Sequence, residues 1–100
     1  MTAGPRAAKP GTVLVTAKNS DVTPAEGVYV FLNEEGLYFG FSFGPTDSNG
    51  EVVCDLAGEY GPGDKLEVSQ MVEGNVVGAV LGFLILNSQC SGEITVEIAR

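Results

Sequence analysis

The chain contains no histidine. That absence removes the usual general base and the commonest transition-metal ligand, and with them every His-dependent triad, dyad or zinc site. Basic side chains are scarce as well: 5 Lys and Arg stand against 13 Asp and Glu, giving a net charge of -8 and a pI near 4.1. Such a surface repels phosphate backbones and anionic leaflets, which argues against nucleic acid as a partner. There are 2 cysteines, Cys54 and Cys90, too few for a disulfide scaffold and without the paired C-x-x-C units of a zinc ribbon. At most they form a single bridge, which only an oxidising compartment would allow and which the sequence leaves open; in the cytosol both would be buried thiols. No segment shows a convincing amphipathic helical pattern. The amino-terminal MTAGPRAAKPGT has no apolar h-region of a signal peptide.

What the sequence does have is short runs of Val, Ile, Phe, Tyr and Thr punctuated by Gly, Pro, Asn and Asp. Apolar residues make up 44% of the chain, enough to fold, and 100 residues suffice for one two-layer core. Residues 1–11 read as a flexible lead-in and 12–100 as a single domain. Within it, alternation predicts that Val13, Val15 and Ala17 share one face of a first strand. Val52, Cys54 and Leu56 point inward from EVVCDL, and Leu66, Val68, Gln70 and Val72 share a face of KLEVSQMVE. In EITVEIA, Ile94, Val96 and Ile98 lie inside while Glu93, Thr95 and Glu97 meet water. The fold expected is all-β: a two-sheet antiparallel sandwich of about seven strands, with transthyretin-like or immunoglobulin-like Greek-key topology.

Two stretches resist simple alternation. Between VYVFLN and LYFGFSF, a three-residue loop of Glu34, Glu35 and Gly36 pairs Asn33 with Leu37 and leaves both faces apolar. A two-residue loop sorts the faces better, setting Val28, Val30 and Leu32 beside Phe39 and Phe41, but asks glutamates to adopt positive φ. Sequence leaves both open. The run VVGAVLGFLIL, Val76 to Leu86, carries no polar side chain. It is too short for a helix to cross a bilayer, which needs about 20 residues, so membrane insertion is not expected. As a strand it places Val77, Ala79, Leu81, Phe83 and Ile85 on one side and Val76, Val80, Leu84 and Leu86 on the other. Both sides then need a cover: a loop, a neighbour's thin backbone, or another chain.

Chemistry-bearing patterns are few. Asp47, Asn49 and Glu51 offer oxygen ligands at alternate positions, as calcium prefers, with Asp21, Glu34 or Asp55 needed from other loops. The plainer reading is an Asx turn opening a strand. Lys18 or Lys65 could form an isopeptide bond only if buried beside a carboxylate. Without histidine or a nucleophile elbow, catalysis would rest on paired carboxylates, yet Glu93 and Glu97 follow a solvated-face pattern. The expectation is therefore no enzyme, no cofactor and no metal. In their place stands an apolar and aromatic binding surface of Tyr29, Phe31, Tyr38, Val77, Leu81 and Phe83. Its partner is expected to be a protein or a second copy, with a carbohydrate or small ligand stacking on the rings as the competing expectation.

The order GTVLVTAKNSDVTPAEGVYVFLN, TDSNGEVVCDL, GDKLEVSQMVEG and GEITVEI resembles the carboxypeptidase regulatory-like, or transthyretin-like, β-sandwich modules. The matches are a Pro-x-x-Gly loop, Pro24 to Gly27, before a Val-x-Val strand, Val28 to Val30, and a Thr-Asp-x-x-Gly turn at Thr46, Asp47 and Gly50. They span about residues 12 to 73. The chain departs from the family where a Gly-x-Tyr strand is usual, since GEYGPGDKLEVS puts Tyr60 in a turn. The resemblance implies a non-catalytic module that braces domains, binds protein or carbohydrate, or extends surface proteins. Related immunoglobulin-like modules decorate phage particles, so an extracellular or virion surface is favoured over the cytoplasm.

Overall fold

Alternating hydrophobes build two sheets that face each other across one core. The computed structural model describes residues 9–37, 39–72 and 76–99. Among them the strands are β1 (Thr12–Lys18), β2 (Val30–Glu34), β3 (Gly40–Phe43), β4 (Glu51–Asp55), β5 (Lys65–Val72), β6 (Val76–Ile85) and β7 (Gly92–Glu97). One sheet has the order β4-β1-β7 and the other β3-β2-β5-β6. The protein is an all-β, two-sheet sandwich.

Val13, Val15 and Ala17 of β1, Cys54 of β4 and Val96 of β7 meet Val30 and Leu32 of β2 and Leu66 and Val68 of β5, all at most 3% exposed. Each such side chain contributes roughly 1.5–3 kcal/mol by leaving water. Ile94 packs against this core and Ile98 lies in it, while Glu93, Thr95 and Glu97 are exposed, as the alternation predicts. Leu14, on the opposite phase of β1, is nevertheless buried. One pairing departs from the antiparallel expectation: β1 and β7 run parallel, Val13 opposite Gly92 through Lys18 opposite Glu97. A parallel pair needs a long crossover. Here the whole four-stranded sheet lies between the first strand and the last.

The β2–β3 hairpin adopts neither short-loop register. Asn33 pairs with Gly40, Leu32 with Phe41 and Val30 with Phe43. Its faces sort as the two-residue loop would have sorted them, Val30 and Leu32 inward with Phe41 and Phe43, but a wider connection avoids positive φ at the glutamates. Leu37 N donates to Glu34 O at 3.0 Å, closing a four-residue turn with Gly36 at φ 87 in its third position. That position demands positive φ in a type II turn. Asn33, buried within the strand, donates its side-chain amide to Leu37 O at 2.7 Å and so ties the turn to the sheet.

Strict alternation also fails in β6. From Ile85 to Gly82 it pairs regularly with Lys65 to Val68, but Ser69 lies opposite Val80 and Met71 opposite Val77, with irregularities between Val68 and Ser69 and between Ser69 and Met71. The slip turns Leu81 toward the core, against which it packs half-buried. Leu81 therefore leaves the predicted binding set: an extra residue in one strand reverses the facing beyond it, until the second irregularity returns Val77 to the side of Phe83.

Candidate docking face

The outer face of the four-stranded sheet can be read from register, because paired residues share a face. Phe31 pairs with Ser69 and Asn33 with Glu67 across β2 and β5. Lys65 pairs with Ile85, Glu67 with Phe83, Ser69 with Val80 and Met71 with Val77 across β5 and β6. Tyr29 O accepts from Met71 N at 2.9 Å, which sets Tyr29 beside that last row. One surface thus gathers Tyr29, Phe31, Val77 and Phe83 of the predicted set. Tyr38 lies outside the described residues.

Most of these side chains are open to solvent: Val77, Val80 and Phe83 are each 48% exposed, Ile85 64% and Tyr29 39%. The second cover that an all-apolar strand requires is not supplied by the described residues. Val80 and Ile85 belong to this face although the predicted set omits them. Alternation puts Val80 on the opposite side, because the slip in β6 cannot be read from a run in which every residue is apolar.

Charge is sparse on the face. Lys65 Nζ lies 3.3 Å from Glu35 Oε2 and 4.8 Å from the Phe83 ring centroid, so the cation roofs an aromatic side chain. Glu67 Oε1 accepts from Asn33 Nδ2 at 3.3 Å. Between the rings and β6, the small residues Ser69 and Gly78 floor a groove of about 500 Å3, walled by Phe31, Leu37, Val77 and Val80. A smaller recess of about 220 Å3 lies between β3 and the end of β4, lined by Phe41, Phe43, Asp55 and Glu59 among others. Beside it Phe39, Phe41 and Tyr60 form an edge-to-face chain with centroids 5.4 and 6.5 Å apart. The Tyr60 hydroxyl is buried without a hydrogen-bond partner, and burial, with Glu34 and Glu59 nearby, raises its pKa.

The other candidates resolve into structural roles. Asp47 Oδ1 accepts from Asn49 N and Glu51 N, each at 2.9 Å, which is the Asx turn. Asp21 caps its own loop by accepting from Thr23 Oγ1 at 2.6 Å, a bond that lowers its carboxyl pKa, and Asp55 accepts from Ala57 N at 2.9 Å. Among the described residues no three His, Cys, Asp or Glu side chains converge as a metal would require. Lys65 is exposed and ion-paired and Lys18 is half-exposed, so neither has the desolvated setting an isopeptide bond needs.

Cys54 and Cys90 are free thiols, not a bridge. Val13 pairs with Cys54 on one side and Gly92 on the other, so β1 stands between the cysteine strand and the turn that carries Cys90. Two strand spacings are about 9.5 Å, more than the roughly 7 Å of Cα separation that a disulfide tolerates. Burial pushes the Cys54 thiol up to about 12. A raised thiol pKa makes ionisation cheaper in the unfolded chain, so this contribution is intact below the unfolded pKa and is lost as pH rises toward 12. Urea-unfolding free energies should therefore fall more steeply above pH 9 for the native chain than for Cys54→Val. The difference in slope should approach about 1.4 kcal/mol per pH unit.

No family model matches the chain, and no curated protein matches it. Among solved structures, a 9R-lipoxygenase from Cyanothece PCC8801 is similar over 86% of this chain and 16% of its own length, at 18% identity and a TM-score of 0.43. This chain thus spans a small part of the length of that protein.

Proposed function

We propose that the protein is a non-catalytic structural module that binds protein, or a second copy of itself, through the outer face of the β3-β2-β5-β6 sheet. One observation carries the reading. On a chain of net charge -8, Tyr29, Phe31, Met71, Val77, Val80, Phe83 and Ile85 share one face whose charges, among the described residues, are an ion pair and a hydrogen-bonded carboxylate. Exposed apolar surface of this extent costs solubility unless a partner covers it. The resemblance to transthyretin-like modules, whose members are typically non-catalytic, supports the same reading. So does the use of the Asp47 carboxylate in holding its own turn.

A photo-cross-linking amino acid at Val80 tests this in cells that make the protein. Protein adducts are expected from Val80 and not from Val53, which is 59% exposed on the outer face of the other sheet. Equal adducts from both positions, or none from Val80, would overturn the reading. The groove beside Phe31 favours a second reading, a carbohydrate or small-ligand site. Against it, the Asn33 amide at the groove is already spent on Leu37 O, and the Phe31 ring is half-buried. Binding on a glycan array that is lost in Tyr29→Ala would decide for the ligand.

A further inference from the structure

A sandwich of two open sheets has four edges, and three of them here are protected. β3 is short, Gly40–Phe43, and runs into Gly44 and Pro45. β4 begins at Glu51 and ends at Asp55, and β7 carries Glu93 and Glu97. Short length, charge and proline are the devices that keep a sheet edge from recruiting another strand. β6 has neither short length, nor charge, nor proline, and the two irregularities in its pairing with β5 are its one blunting feature. It is 10 residues long, the sequence VVGAVLGFLI, and it forms the edge beyond β5.

The backbone groups of β6 that no strand pairs among the described residues can be assigned. Glu35 N donates to Lys65 O and Met71 N donates to Tyr29 O, so the odd-numbered residues of β5 turn their backbone groups toward β2. Their partners on β6, namely Ile85, Phe83, Val80 and Val77, therefore turn N–H and C=O away from β5 to the open edge. The same residues present the exposed side chains of the docking face.

We infer that β6 pairs edge to edge, antiparallel, with β6 of a second copy, joining two four-stranded sheets into one. The partner's identity follows from charge and from the order of side chains along the strand. A second copy also carries -8, so the two can meet only along a seam free of carboxylates, and no charged residue occurs from Val76 through Gln89. Antiparallel pairing of the strand with itself sets the Phe83–Ile85 half of one copy beside the Val77–Val80 half of the other. Aromatic then meets β-branched across the seam, a favourable cross-strand combination. A ten-residue edge is about 34 Å long and roughly 10 Å deep, so edge pairing buries on the order of 340 Å2 per copy. That is under half of the roughly 800 Å2 per partner of a standard interface. The dimer is accordingly a weak, transient one.

This inference rests on the docking-face reading in placing the contact at β6, but it is tested apart from it. Sedimentation velocity on the full chain from about 5 μM to 1 mM should show a monomer–dimer equilibrium. Ile85→Pro removes one edge-facing N–H without touching a β5 bond, and should raise the dissociation constant at least about tenfold while leaving circular dichroism unchanged. Val80→Lys, a charge at the seam, should do the same if the proline variant does not fold. Amide exchange at Phe83 and Ile85 should slow with concentration, and exchange at Leu84, turned toward β5, should not. A chain that stays monomeric throughout overturns the inference and leaves the Val80 cross-linking result to judge the face. A dimer that persists in both variants, with edge amides indifferent to concentration, also overturns it and puts the contact elsewhere.

Discussion

Gly50→Ala is expected to destabilise the fold by about 3–5 kcal/mol. Gly50 adopts φ 76, a left-handed conformation that L residues reach only with strain. It is also buried, and a Cβ there would collide with Ala17 O and approach Ala25 N to 3.1 Å. The collision is with backbone, so no rotamer relieves it. Ala17 N donates to Gly50 O at 2.7 Å, and moving the turn away breaks that bond too. Gly58 is the natural control, since it sits at φ 73 with nothing within 4 Å of the place a methyl group would occupy. Gly58→Ala should cost only the backbone term, about 1 kcal/mol. For a domain of this size 1 kcal/mol moves Tm by roughly 4–8 °C, so thermal melts should separate the two variants by ten degrees or more.

The same turn shows what is legible in a sequence. Thr46, Asp47 and Gly50 stand out as a turn motif, and each has a physical job there: a buried hydroxyl, an Asx cap and a close backbone approach. Val96 and Ile98 are readable because charged and polar neighbours fix the phase of β7. Where no polar residue marks the phase, alternation loses its reference. In β6 every side chain is apolar or absent, so a register slip costs the pattern nothing visible and alternation puts Leu81 on the wrong side. The β2–β3 register is hidden for a related reason, since aromatics and valines fall on both phases of that hairpin. Only the buried Asn33 amide reaching Leu37 O marks where the turn widens, and that bond is a tertiary fact. Of the observed face, Tyr29 and Phe31 are legible from β2 and Ile85 from its alternation with Phe83, whereas Val80 emerges only with the pairing of β5 and β6.

Thr46→Val should cost about 2–4 kcal/mol, although the two side chains have nearly the same shape. The Thr46 hydroxyl is 2.5 Å from Ala25 O, to which it donates, and it accepts from Val28 N at 2.9 Å. Its backbone is committed as well, with Thr46 N donating to Val28 O at 2.9 Å and Gly27 N donating to Thr46 O at 3.0 Å. One buried residue therefore fastens the chain entering β2 to the corner that precedes β4. Valine fills the space but strands a carbonyl and an amide away from water, and an unpaired buried group costs its full desolvation. Thr46→Ser keeps both hydroxyl bonds and loses one methyl group, so it should retain most of the stability, at a cost of about 1 kcal/mol. If hydrogen bonding governs this corner, the valine variant falls well below the serine variant in urea midpoint and the Val28 amide exchanges faster in it. Serine falling to the level of valine would instead assign the corner to methyl packing.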